Sequence, residues 1–196
     1  MFSGQLLVHF KPTVMVKNNV FQFICYATTL TAEEFEPEWD RYVQKGMNKQ
    51  NDQQLLEQVP GSKSRYKFVS KHTWDENAIQ VAINNRQSAK HFPQHKVKLV
   101  QAGGYVLAAP VKKNLLSETG TRLILFIGHD ERDMDFYSRI PGLENPVTYQ
   151  AYYESCAFAY IMEYSVDADN AESLLQQLKL RQGIDAACYQ ECMVTH

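Results

Sequence analysis

The chain has few residues able to do chemistry near neutral pH, and His72 is the most informative of its six histidines. It sits near the end of a predicted strand, Arg65 to Thr73, where an imidazole at a pocket mouth can act as a general base or ligate a metal or haem. The plainer alternative is an exposed strand-end histidine. Tyr149, Tyr153, Tyr160 and Tyr164 fall on two further predicted strands, with Tyr152 facing away from Tyr149 and Tyr153. Rings with a polar tip can line an apolar pocket and orient a ligand, although aromatics are also ordinary strand formers. His91 and His95 have the four-residue spacing of two ligands on one helix face, but Pro93 lies between them and no flanking carboxylate supplies a third ligand. His129, beside Asp130, Glu131 and Asp133, marks a strand-to-helix handover, where acidic residues suit the helix N-terminus without any catalytic part.

Other chemistries lack their motifs. The four cysteines at 25, 156, 188 and 192 show no metal-site pair, and Cys188 and Cys192 on one strand would lie about 13 Å apart, too far for a disulfide. They read as free thiols. There is no phosphate loop, dinucleotide glycine fingerprint, serine nucleophile elbow or paired histidine-glutamate zinc motif. Twenty basic and 22 acidic side chains, well mixed, give a formal net charge of -2, which demotes nucleic acid and acidic membranes as partners. No apolar run has the length of a membrane span or a signal-peptide core, so a soluble cytoplasmic protein is expected. At 196 residues, 44% of them hydrophobic and 21% charged, the chain can bury a substantial core as one domain or two small ones.

The elements that must position these residues are clearest from Thr121 to Cys192. Arg122 to Ile127 is a short apolar strand closed by Gly128, and a helix can start at Asp130 and stop at Pro141-Gly142. Val147 to Glu154 and Phe158 to Ser165 form two tyrosine-rich strands joined around Ser155-Cys156. Asp167 or Asp169 can cap a helix carrying Ala171, Leu174, Leu175 and Leu178, and Ile184 to Met193 supplies a last strand. The order is βαββαβ, the ferredoxin-like split unit.

A looser copy precedes it. After a strand or hairpin within residues 1 to 20, Phe21 to Thr28 reads as a strand and Thr31 with Glu34 forms a capping box for a helix bearing Phe35, Trp39, Tyr42 and Val43. Pro37 predicts a kink or delayed start. The polar run Asn48 to Gln54 interrupts the helix before Leu55-Leu56, and Pro60-Gly61-Ser62 makes a turn. In the strand Arg65 to Thr73, Tyr66, Phe68 and Ser70 face one way and Arg65, Lys67, Val69 and Lys71 the other. Ala78 to Ile83 is its expected partner, Ser88 caps a short helix, and Val97 to Val100 or Tyr105 to Ala109 is the fourth strand, with Gly103-Gly104 as a bend. The expected architecture is therefore α+β: tandem ferredoxin-like units at 1–110 and 121–196, joined by a linker at 111–120.

On this element order, and on the local flavour of Phe21-Gln-Phe-Ile-Cys-Tyr-Ala-Thr-Thr-Leu-Thr-Ala-Glu-Glu-Phe and Arg65-Tyr-Lys-Phe-Val-Ser-Lys-His-Thr-Trp, residues 21 to 192 resemble the dimeric α/β-barrel superfamily. That group includes antibiotic-biosynthesis monooxygenases, EthD-like proteins, stress-responsive barrel proteins and haem-degrading enzymes. The resemblance implies two units packed sheet against sheet, here in one chain, giving a monomer that emulates a dimer, or a homodimer. It implies a small, apolar or aromatic ligand and, for an enzyme, cofactor-independent oxygenation, isomerisation or haem-linked chemistry. His72 would then be the base or ligand, and Tyr66, Trp74, Tyr149 and Tyr153 the pocket walls. No residue selects a particular cofactor. The rival expectation is a non-catalytic protein that self-associates through its sheets, burying the tyrosine-rich faces between subunits.

Overall fold

The computed structural model describes residues 20–46, 52–62, 64–74, 96–108, 120–128, 136–137, 139, 143, 145–152, 156, 158–178 and 184–192. Within them the chain runs β1 (Val20–Thr28), α1 (Ala32–Gly46), β2 (Asp52–Gln58), β3 (Phe68–Trp74), β4 (Val97–Leu107), β5 (Thr121–Ile127), β6 (Val147–Ala151), β7 (Tyr160–Val166), α2 (Ala168–Gln177) and β8 (Asp185–Glu191). All eight strands join one closed barrel in the order β1-β3-β2-β8-β5-β7-β6-β4, and every pairing is antiparallel.

This corrects the expected α+β fold of tandem ferredoxin-like units. Leu56 to Gln58 of β2 pair with Tyr189 to Glu191 of β8, and Tyr105 to Leu107 of β4 pair with Tyr149 to Ala151 of β6. Those two seams merge strands from both ends of the chain into one sheet. Among the described residues eight strands stand beside α1 and α2, so those residues are mostly sheet. The physical reason is edge satisfaction: a separate sheet would leave β2, β4, β6 and β8 with unpaired backbone groups, and closure pairs them all.

Local chemistry accounts for the elements that were anticipated. The Thr31 amide donates to Glu34 Oε2 at 2.9 Å and the Glu34 amide to Thr31 Oγ1 at 3.4 Å, a reciprocal cap that starts α1. Pro37 lies inside this 15-residue helix. Asp167 caps α2 by accepting from the Asp169 amide at 3.2 Å. Gly61, at φ +89°, makes the turn after β2 in a backbone region costly for side-chain-bearing residues.

Other expectations shift. Gln53 to Glu57, expected in part as an interruption of a helix, lie within β2, which takes the place beside β3 expected for Ala78 to Ile83. Gly103-Gly104 does not bend the chain between two alternative strands: both lie within a continuous β4, opposite Phe23 and Gln22. A side chain at 103 would meet Cys156 Sγ at 2.9 Å and the Tyr105 ring at 3.1 Å, so close packing requires glycine there. The N-terminal hairpin, the Ala78 to Ile83 strand, the Ser88 helix, the helix start at Asp130 and linker residues 111–119 lie outside the described residues.

Alternation along the strands separates an inside from an outside. Phe21, Phe23 and Cys25 of β1 point into the barrel with Leu56, Val69, Tyr105, Ile124, Phe126, Val147, Tyr149, Ile161, Ala187 and Tyr189. Val20, Ile24 and Tyr26 point outward beneath Phe35 and Trp39 of α1. On the opposite side, Leu123, Leu125, Ile127, Met162 and Tyr164 pack outward with Ala171 of α2.

Candidate functional site

The barrel interior holds an ionic cluster within an aromatic wall. Lys71 lies on β3 two residues beyond inward-facing Val69, Arg122 on β5 two before Ile124, and Glu163 on β7 two beyond Ile161. Period-two alternation thus sends all three side chains inward, and each is 6% or 7% exposed. Lys71 Nζ is 3.1 Å from Glu163 Oε2, and Arg122 Nη1 is 2.5 Å from Glu163 Oε1. Arg122 Nη1 also donates to Gln54 Oε1 on β2 at 3.1 Å, and the Tyr149 hydroxyl on β6 donates to Glu163 Oε2 at 2.9 Å. Side chains from five strands therefore meet in one cluster, three of them on the Glu163 carboxylate.

The electrostatics follow from burial and proximity. Burial by itself would raise the Glu163 carboxyl, but Lys71 and Arg122 outweigh it and hold the group below its ordinary value, ionised. Burial, then the Glu163 charge and hydrogen bond, push the Tyr149 phenol well above its ordinary range, so it remains a donor. Lys71 also lies 5.5 Å from the Tyr149 ring centre, in cation–π contact. Phe21 and Phe23 meet the Tyr149 ring edge to face at 5.1 and 5.0 Å, and Phe23 meets Tyr105 at 5.6 Å.

The predicted site residues divide between two faces. Tyr149 is in this cluster. Tyr66 is also interior, against Phe126 at 5.3 Å and Phe158 at 6.3 Å, with its phenol pushed up to about 12 chiefly by burial. Tyr66 does not share the face of Phe68 and Ser70 as the alternation predicted, because β3 begins only at Phe68. His72 and Trp74 face outward, toward α1. His72 is fully buried, its Nε2 is 2.8 Å from Ser70 Oγ, which is 3.1 Å from the Tyr26 hydroxyl, and its ring stacks on Trp39 at 6.1 Å. Burial lowers its pKa to about 3, so it is neutral. Neither a pocket mouth nor an exposed strand end describes that position. Trp74 Nε1 donates to Gln22 Oε1 at 3.1 Å. Tyr160 and Tyr164 face outward as well, away from Tyr149, while Tyr153, His91, His95 and His129 lie outside the described residues.

Sequence reasoning missed Lys71, Arg122 and Glu163 as a group. A signal was present for two of them: Arg122 and Glu163 are each a lone charge in the inward phase of a largely apolar strand, as Glu163 is in Tyr160-Ile-Met-Glu-Tyr164, whereas Lys71 follows Arg65 and Lys67 in a polar stretch. All four cysteines are free and buried, and no group of three metal-ligating side chains occurs among the described residues. Within those residues no helix is long and apolar enough to cross a membrane.

The sequence matches no family model and no curated protein. Among solved structures it is similar to an anthrone oxidase-like protein, at 10% identity over 90% of this chain and 92% of that one, with a TM-score of 0.56. A chlorite dismutase-like protein matches at 8% identity over 89% and 95%, with a TM-score of 0.51. A monooxygenase-like protein from Lactobacillus acidophilus NCFM matches at 12% identity over 89% and 94%, but its TM-score of 0.38 carries no argument. At such identities the likeness is one of fold alone.

Proposed function

We propose that this chain is a small-molecule-binding barrel protein of monooxygenase-like architecture, taking an apolar or aromatic compound against its interior wall. The observation that carries this reading is the convergence of Lys71, Arg122, Glu163 and Tyr149 beside the rings of Phe21 and Phe23. An apolar lining with a few convergent polar groups is the usual composition of a ligand site. For turnover, cofactor-independent oxygenation or isomerisation suits the cluster best, since two buried cations can stabilise negative charge developing on a substrate oxygen.

Haem-linked chemistry has weaker support. His72 is the sole histidine among the described residues, and with Nε2 on Ser70 and its ring against Trp39 it does not fit an axial ligand. His72 has a structural part, tying β3 to α1. The self-association reading requires tyrosine faces or sheet edges open to a second chain. Tyr149, Tyr164 and Tyr189 are instead buried within one chain, and each described strand is paired on both sides.

Native mass spectrometry of the purified protein, before and after denaturation, tests the reading alongside a thermal-shift panel of aromatic compounds. A non-covalent mass lost on unfolding, or a compound that raises the melting temperature in a dose-dependent way, is expected. A protein carrying no extra mass and indifferent to the whole panel overturns it.

A further inference from the structure

The interior already displays a carboxylate held by two cations, and that carboxylate belongs to the protein. Resting on the small-molecule reading above, we infer that Lys71 and Arg122 form a carboxylate cradle whose resident occupant is Glu163, and that a small aromatic acid displaces it. The geometry sets the ligand class. Lys71 and Arg122 approach different oxygens of one carboxylate, so they match a two-oxygen acceptor. Phe21, Phe23 and Tyr149 stand beside it with their rings edge to face, an environment suited to a flat aromatic body.

The exchange conserves charge. Before it, two cations face one carboxylate. Afterwards they face the ligand's carboxylate, and Glu163, still enclosed but without its ion pairs, gains one proton from solvent on a carboxyl oxygen, forming an O–H bond. Among the described residues, the charged or titratable groups facing Glu163 are Lys71 from β3, Arg122 from β5 and Tyr149 from β6, and Tyr149 is protonated throughout. Binding should therefore take up one proton per ligand, and affinity should fall about tenfold per pH unit while Glu163 is ionised in the free protein.

The test titrates the full chain calorimetrically with benzoate and, separately, benzyl alcohol, in buffers of different protonation enthalpy and at several pH values. Expected are benzoate binding with proton uptake, and at least about tenfold tighter benzoate binding with no uptake in Glu163→Gln, where the cradle has lost its occupant. Should Glu163→Gln be too unstable to titrate, benzoate should raise its melting temperature more than that of the native protein, and the pH dependence of the native protein decides alone. Benzyl alcohol binding as well as benzoate would overturn the cradle while leaving the small-molecule reading standing. Benzoate binding without proton uptake overturns the exchange. If neither compound binds, the cradle falls, while the small-molecule reading is decided by the mass and thermal-shift measurements above.

Discussion

Glu163 shows how much depends on a single side chain in a closed interior. Its carboxylate answers Lys71, Arg122 and Tyr149 together, so replacing it with glutamine leaves two cations without their counter-charge. Breaking a buried pair from one side costs about 3–5 kcal/mol. Glu163→Gln should lose that much in denaturant unfolding, whereas replacing all three charges with apolar residues of similar size should recover most of it. His72 governs a different window. Its folded pKa of about 3 lies below the ordinary histidine value near 6.5, so the unfolded chain binds a proton that the native chain refuses. Stability is full above about pH 6.5 and drains as pH falls toward 3. In His72→Phe, which keeps a ring against Trp39, the denaturant midpoint should hold down to the range where carboxylates titrate. Glu163 adds its own acid sensitivity there: its depressed pKa gives stability that is present above the ordinary carboxylate value and lost as pH falls through the folded one.

At the scale of elements, the strand alternation and helix caps were written plainly in the chain. Thr31 with Glu34, Asp167, and the apolar runs of β1, β5 and β7 were legible because each rests on neighbours in sequence. Harder to read was β2, whose Asp-Gln-Gln opening resembles a polar interruption and becomes a strand only because β3 and β8 lie on either side of it. The same limit hid the candidate site, since nothing near Lys71 in sequence announces that Glu163 lies across the barrel. Gly103 offers a clean test of element packing. Gly103→Ala should cost about 1–3 kcal/mol by forcing Cys156 and Tyr105 aside. Removing the Cys156 sulfur in Gly103→Ala/Cys156→Ala should return part of that loss, a non-additivity readable in thermal melts.

For the whole molecule, closure makes the ends of the chain mutually dependent. β2 needs β8 and β4 needs β6, while Lys71 from one half answers Glu163 from the other. Unfolding should therefore be one cooperative transition, with near-ultraviolet and far-ultraviolet signals coinciding. Residues 1–110 and 121–196 expressed separately should aggregate, and should become soluble when produced together, because each alone exposes two sheet edges and half an ion cluster. Two separate transitions, or soluble folded halves, would contradict this dependence.

The seam between β2 and β8 also bears on how the protein is made. Leu56 emerges from the ribosome long before its partner Glu191, and translation adds only about 5–20 residues each second. For several seconds every nascent chain thus carries an open strand edge with Lys71 not yet matched by Glu163. Closing the barrel must wait for β8, and the period before its arrival is when a chaperone would have most to protect.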